Sequence, residues 1–142
     1  MTVRLRGVEL DTLYNARVSI STEVSVTATS SATGNTCMTT GAFTIENGGT
    51  YLIEVFTPYL TIGSTNLDVE LWDGTTLLTS LSGHMAASIN RPGATMTTFQ
   101  ALGSGSHTVL VKAFVDGGTG KFGANNGATG NAPNAWLTVS PA

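Results

Sequence analysis

Apolar and polar residues alternate with a period of two in several stretches, the spacing that sends every second side chain to one face of a strand. Val24, Val26 and Ala28 alternate with Ser25, Thr27 and Thr29. Tyr51, Ile53 and Val55 share one face, with Leu52, Glu54 and Phe56 on the other. Leu67, Val69 and Leu71 alternate with Asp68, Glu70 and Trp72. Val109, Val111, Ala113 and Val115 alternate with Thr108, Leu110, Lys112 and Phe114, and Trp136 to Val139 reads as a short closing strand. No stretch of useful length carries a helical period. The fold class predicted is all-β: an antiparallel β-sandwich with an extended N-terminal segment.

Turn chemistry falls between these runs. Asn47-Gly48-Gly49 precedes the Tyr51 strand, and Ser104-Gly105 precedes the Val109 strand. Asp73-Gly74 separates Leu67–Trp72 from Thr75–Leu81 and is the strongest hairpin signal, because both residues tolerate positive φ. Asp116 to Gly130 reads as a long Gly/Asn-rich loop containing Lys121 and Phe122. Residues 1–20 are expected to form an N-terminal arm or first strand, and 21–142 a single sandwich domain. No internal repeat is visible.

Several strands also carry apolar residues on their second face: Leu52, Phe56, Trp72, Leu110 and Phe114. A monomeric sandwich usually leaves that face polar, so one sheet is expected to pack on something else, with a symmetric copy the simplest candidate.

The chain has 142 residues, 41% hydrophobic, enough for one domain with a core. Only 11% are charged, against a usual share of about 25%. Thr, Ser, Gly and Asn take their place, a surface common on extracellular, virion or surface-array proteins. The net charge of -3 argues against general nucleic-acid binding, which needs a basic stripe, although Arg4, Arg6 and Arg17 lie near the N-terminus. Cys37 is the single cysteine, so neither an internal disulfide nor a Cys-based zinc site is available. No apolar run is long enough to span a bilayer as a helix. The chain starts without a basic-then-apolar leader, so synthesis in a cytoplasm and delivery by assembly are expected.

Candidate chemistry fails on structural context. Gly118-Thr119-Gly120-Lys121-Phe122-Gly123 fits G-x-G-x-x-G, but Ala124-Asn125-Asn126-Gly127 does not start the helix whose N-terminus would hold a phosphate. A Walker A reading fails as well, with Val115 and Phe122 at required Gly and Ser/Thr positions. His84 and His107 have no G-x-S-x-G nucleophile to serve. Asp68 and Glu70, with Glu54 on a neighbouring strand, form a conceivable calcium trio, but a solvated outer face is favoured. Tyr51, Tyr59, Trp72, Phe99 and Trp136 are conceivable as a sugar-stacking platform, with core and interface packing favoured. No enzyme activity, metal or cofactor is expected.

Gly41-Ala42-Phe43-Thr44-Ile45-Glu46-Asn47-Gly48-Gly49-Thr50-Tyr51 resembles a strand, tight glycine turn and Tyr-initiated strand of the trimeric jelly rolls of tumour necrosis factor and the complement-type globular heads. Leu67 to Ser80 is similar to that family's next hairpin. Leu102-Gly103-Ser104-Gly105-Ser106-His107-Thr108-Val109 resembles its Leu-then-Gly turn, and Asn134 to Val139 its closing strand. The Thr-, Gly- and Ala-rich composition looks more like the related trimeric folds of phage capsid decoration proteins and tail-fibre tips. The resemblance implies that the sandwich is jelly-roll-like and the protein a homotrimer with Tyr51 and its strand neighbours near the threefold axis, and it implies no catalytic residues. The expected role is a capsid decoration protein on the virion surface, made in the host cytoplasm. Tyr51, Leu52, Phe56, Leu110 and Phe114 are the candidate trimer interface. Arg4, Leu5, Arg6, Val8 and Leu10 are the candidate arm on the major capsid protein. The alternative is a tail-fibre head that binds a receptor or glycan through Trp72, Asn125, Asn126 and Asn131.

Overall fold

The structure, a computed structural model, describes residues 3–5, 8–10, 16–62, 67–85, 90–123 and 134–142, and side chains within 17–58, 67–81, 95–123 and 134–142. A short hairpin of β1 (Val3–Leu5) and β2 (Val8–Leu10) comes first. Then follow β3 (Ala16–Ile20), β4 (Glu23–Val26), a 3-10 turn at Ser31–Thr33, β5 (Asn35–Thr39) and β6 (Phe43–Ile45). The long β7 (Gly49–Ile62) leads to the hairpin of β8 (Leu67–Asp73) and β9 (Thr76–Met85), and to β10 (Asn90–Leu102). β11 (Gly105–His107), β12 (Val109–Val115), β13 (Gly120–Gly123) and β14 (Ala135–Pro141) complete the chain.

Two antiparallel sheets make the sandwich. In the first, β7 pairs with β10 along nearly its whole length, while its other edge takes β14 over 51–56 and β13 over 59–62. β3 extends that sheet beyond β14, and β4 extends it beyond β13. The second sheet runs β5-β12-β8-β9, and the ribbon of β6 and β11 stands apart. The chain passes from β5 to β7, back to the β8–β9 hairpin, over to β10, back to β12 and over to β14. This crossing between two antiparallel sheets is a jelly roll.

Alternation explains the core. Ile53, Val55, Leu137 and Val139 point inward from the first sheet, and Val69, Leu71, Val109 and Val111 from the second, each fully buried. Each such side chain contributes about 1.5–3 kcal/mol by leaving water. Phe122 is the largest fully buried side chain among the described residues and belongs to this cluster.

The Gly-rich run therefore departs from the loop expected of it. Gly120–Gly123 is a strand held on both edges, opposite Val26–Glu23 and opposite Ile62–Tyr59. Burial of Phe122 outweighs the low strand preference of its flanking glycines. Gly123 is required there: it has φ +133, and a Cβ would sit 2.7 Å from the Thr22 carbonyl oxygen. The G-x-G-x-x-G segment is thus spent on strand pairing.

β10 and β5 carried no clear alternation in the sequence. On β10 the inward positions are Met96, Thr98, Gln100 and Leu102, so a polar middle interrupts the apolar face. On β5, Cys37 and Met38 are both buried, and the β12–β5 register shifts at Val111/Lys112, a bulge that breaks the period. At the β8–β9 turn Gly74 has φ +56, as the Asp-Gly signal required.

Leu71→Ala is expected to lower unfolding free energy by about 2–5 kcal/mol, because a fully buried side chain leaves a cavity. Gly74→Ala, where nothing lies within 4 Å of the added Cβ, is expected to cost only about 1–2 kcal/mol, from its backbone conformation alone. Urea denaturation of both variants at one fixed protein concentration checks the order.

Candidate functional site

The outward side chains of the first sheet form rows that cross its strands. One row runs Ser19, Trp136, Phe56, Thr95 from β3 through β14 and β7 to β10. The next runs Arg17, Thr138, Glu54, Thr97, and a third runs Ser140, Leu52, Phe99. Phe56 and Trp136 stack with ring centroids 5.6 Å apart and planes at 25°, and the Arg17 guanidinium lies over Trp136, 5.4 Å from its centroid. Phe99 is 65% exposed, the most open large apolar side chain among the described residues. Two stacked aromatics, Leu52 and an open phenylalanine thus lie side by side on this sheet face, the kind of apolar surface that marks a candidate interaction site.

On the second sheet's outer face the polar groups are partnered, while Leu77, opposite Trp72, is 46% exposed. Glu70 is buried beneath the 3-10 turn: its Oε2 accepts from Ser31 Oγ at 2.7 Å and from the Trp72 indole N–H at 3.0 Å. Lys112, paired across strands with Glu70, places its ammonium 4.2 Å from the Trp72 ring centroid. Leu110 and Phe114 are half-buried beside Trp72 and Asp68.

The five residues expected at one interface therefore separate. Leu52 and Phe56 lie on the outer face of the first sheet. Leu110 and Phe114 lie on the opposite outside of the sandwich. Tyr51 turns into the core, 7% exposed, because it shares the inward phase of β7 with Ile53 and Val55. Phe99 and Trp136 join Leu52 and Phe56 through cross-strand pairing, which a single strand's pattern does not reveal. Arg4, Leu5, Val8 and Leu10 fall in the N-terminal hairpin, but their side chains, and Arg6 altogether, lie outside the described residues. Asn125, Asn126, Asn131 and the side chain of Tyr59 lie outside them too.

The calcium trio is not assembled, since Glu54 projects from the first sheet while Asp68 and Glu70 belong to the second. Among the described residues no group of three or more His, Cys, Asp or Glu side chains is placed to hold a metal ion. Nor do the aromatics make one platform: Tyr51 is in the core, Trp72 is on one outside, and Phe99 and Trp136 are on the other. Burial pushes the Cys37 thiol up to about 12, against a lowering contribution from a backbone hydrogen bond at Ala113. It is a packing residue, not a nucleophile.

His107 clips loops at one end of the sandwich. Its Nδ1 is 2.6 Å from Asp73 Oδ2 and its Nε2 2.9 Å from the Gly103 carbonyl oxygen. Asp73 Oδ1 also accepts the Thr108 N–H at 3.0 Å. With acceptors at both ring nitrogens, only the imidazolium can donate twice. The side chain of His84 is outside the described residues.

No protein-family model matches the chain, and no curated protein does. Among solved structures it is similar to the C-terminal CBM6 of LamC, a marine laminarinase from Zobellia galactanivorans, at 12% identity and a TM-score of 0.45 over 90% of this chain and 98% of that one. It is also similar to infectious bursal disease virus VP2 in a subviral particle, at 11% identity and a TM-score of 0.42. That match covers 94% of this chain, which spans 38% of VP2. The class defined by the sheets and their crossings is an all-β jelly-roll sandwich.

Burial of the imidazole opposes its charge, but the hydrogen bonds to Asp73 and Gly103 and the attraction of the Asp73 carboxylate outweigh it and raise the His107 pKa. A raised folded-state value means the clip stabilises fully below the unfolded histidine value, about 6.5, and loses that contribution as pH rises through the folded value. The stability gap between wild type and H107A, measured by denaturation from about pH 5.5 upward, is expected to be largest at the acid end and to shrink with rising pH.

Proposed function

We propose that this chain is a structural assembly protein: a homotrimeric jelly roll that decorates the surface of a phage capsid and has no catalytic role. The observation that carries the reading is the outer face of the first sheet, where Leu52, Phe56, Trp136 and the 65% exposed Phe99 lie side by side. This is the β7 face, and β7 is the strand that the tumour-necrosis-factor-like resemblance puts near a threefold axis. Tyr51 itself has no place in that contact, and the interface is narrowed to the outward phase of β7 with its cross-strand neighbours.

The N-terminal segment, with Arg4, Leu5, Arg6, Val8 and Leu10, is assigned to the major capsid protein, and three linked copies would turn a weak contact into a firm one. The low charge and hydroxyl-rich surface support a virion location. A glycan-binding head fits less well. Trp72, its aromatic candidate, already donates its N–H to Glu70 and has Lys112 against its ring.

Phe99→Asp is expected to leave the fold intact and abolish self-association, read by light scattering coupled to gel filtration. Deleting residues 1–13 is expected to leave the trimer assembled and remove binding to purified capsids. Retained capsid binding at wild-type level would overturn the arm assignment. Binding to host cells rather than capsids would favour a receptor-binding head.

A further inference from the structure

The outer face of the first sheet is not uniformly apolar. Its middle row holds two charges of opposite sign, Arg17 on β3 and Glu54 on β7, with Thr138 between them on β14. Two strand spacings, about 10 Å, separate their backbones. Glu54 is half-buried, with the Phe56–Trp136 row on one side and the Leu52–Phe99 row on the other. Thr138 Oγ1 is buried without a hydrogen-bond partner, and the Arg17 guanidinium rests over Trp136.

Any partner that covers this face takes the Glu54 carboxylate out of water. A purely apolar partner gives nothing back for that loss, so the partner has to bring a cation to the centre of the contact. A second copy of this chain brings one, because the same row presents an exposed arginine whose planar fork matches a carboxylate. One face thus carries both halves of a complementary pair, so around a threefold axis Glu54 of each copy can meet Arg17 of the next.

We infer that Glu54 of one chain pairs with Arg17 of a neighbouring copy when the outer faces meet, and that this polar row sets the alignment of the contact. The inference rests on the self-assembly reading above and adds its register. Apolar contact between the flanking rows supplies attraction without direction, and the charged row rejects alignments that leave Glu54 unpaired.

Charge reversal tests it. R17E and E54R are each expected to raise the concentration at which half the chains assemble by at least roughly thirtyfold. Each is also expected to keep a β-type circular dichroism spectrum. The double variant R17E/E54R is expected to assemble again. Co-expressed under different tags, wild type and double variant are expected to sort into separate oligomers, since a mixed contact sets like charges against each other. E54Q, which keeps the shape, is expected to weaken assembly and flatten its salt dependence even if a reversal variant misfolds. Wild type monomeric at every concentration would overturn the self-assembly reading, and this inference with it. Wild type assembled with E54R and E54Q assembling equally well would overturn the pairing alone. Free mixing of wild type with the double variant would also overturn it, because the pair would then form within one chain.

Discussion

The structure depends on β7 being paired on both edges while it presents a different chemistry on each face. Its inward phase, Tyr51, Ile53, Val55 and Thr57, is buried. Its outward phase carries Leu52, Glu54 and Phe56. Because β10 lies along one edge and β14 then β13 along the other, these outward residues become the centre of a broad sheet rather than a ridge. A slip of one residue in any of these ladders would exchange the two faces. Fully buried Ile53 and Val55 prevent that slip, and in doing so they hold Leu52, Glu54 and Phe56 in place.

The two outsides of the sandwich solve their apolar surface differently. On the second sheet, Trp72 is engaged by Glu70 and Lys112, and the 3-10 turn closes over Glu70 through Ser31. On the first, the Phe56–Trp136 stack has the Arg17 guanidinium on it, yet Phe99 remains open. This difference, with Phe99 more open than Leu77, is what singles out the first sheet as the proposed interaction face. The proposed self-association would also give a reason for half-buried Glu54 among apolar neighbours, where a monomer would be served as well by a threonine.

The His107 clip and the Gly120–Gly123 strand bear on that face from outside it. His107 ties the β8–β9 turn, through Asp73, to the backbone at Gly103, just after β10, the strand that carries Phe99. Gly120–Gly123 completes the first sheet along the far half of β7 and fills the core with Phe122.

The all-β class, the β7, β8, β12 and β14 strands and the Asp73-Gly74 hairpin were legible in the sequence, because alternation and turn chemistry are local properties. The apolar outward residues Leu52 and Phe56 were legible for the same reason. Alternation also placed Tyr51 in phase with Ile53 and Val55, so its burial was readable even though the family resemblance pointed elsewhere. The strand at Gly120–Gly123 was hidden by its glycines, and β10 by Thr98 and Gln100 on its inner face. Which apolar residues share a surface was not readable at all. Leu52 and Leu110 look alike along the chain, yet they stand on opposite outsides, since sheet membership comes from long-range pairing. Phe99 and Trp136 reach Leu52 and Phe56, and Arg17 shares a row with Glu54, through ladders between strands far apart in sequence. The local pattern determined which side chains turn outward, and only tertiary pairing decided which of them meet.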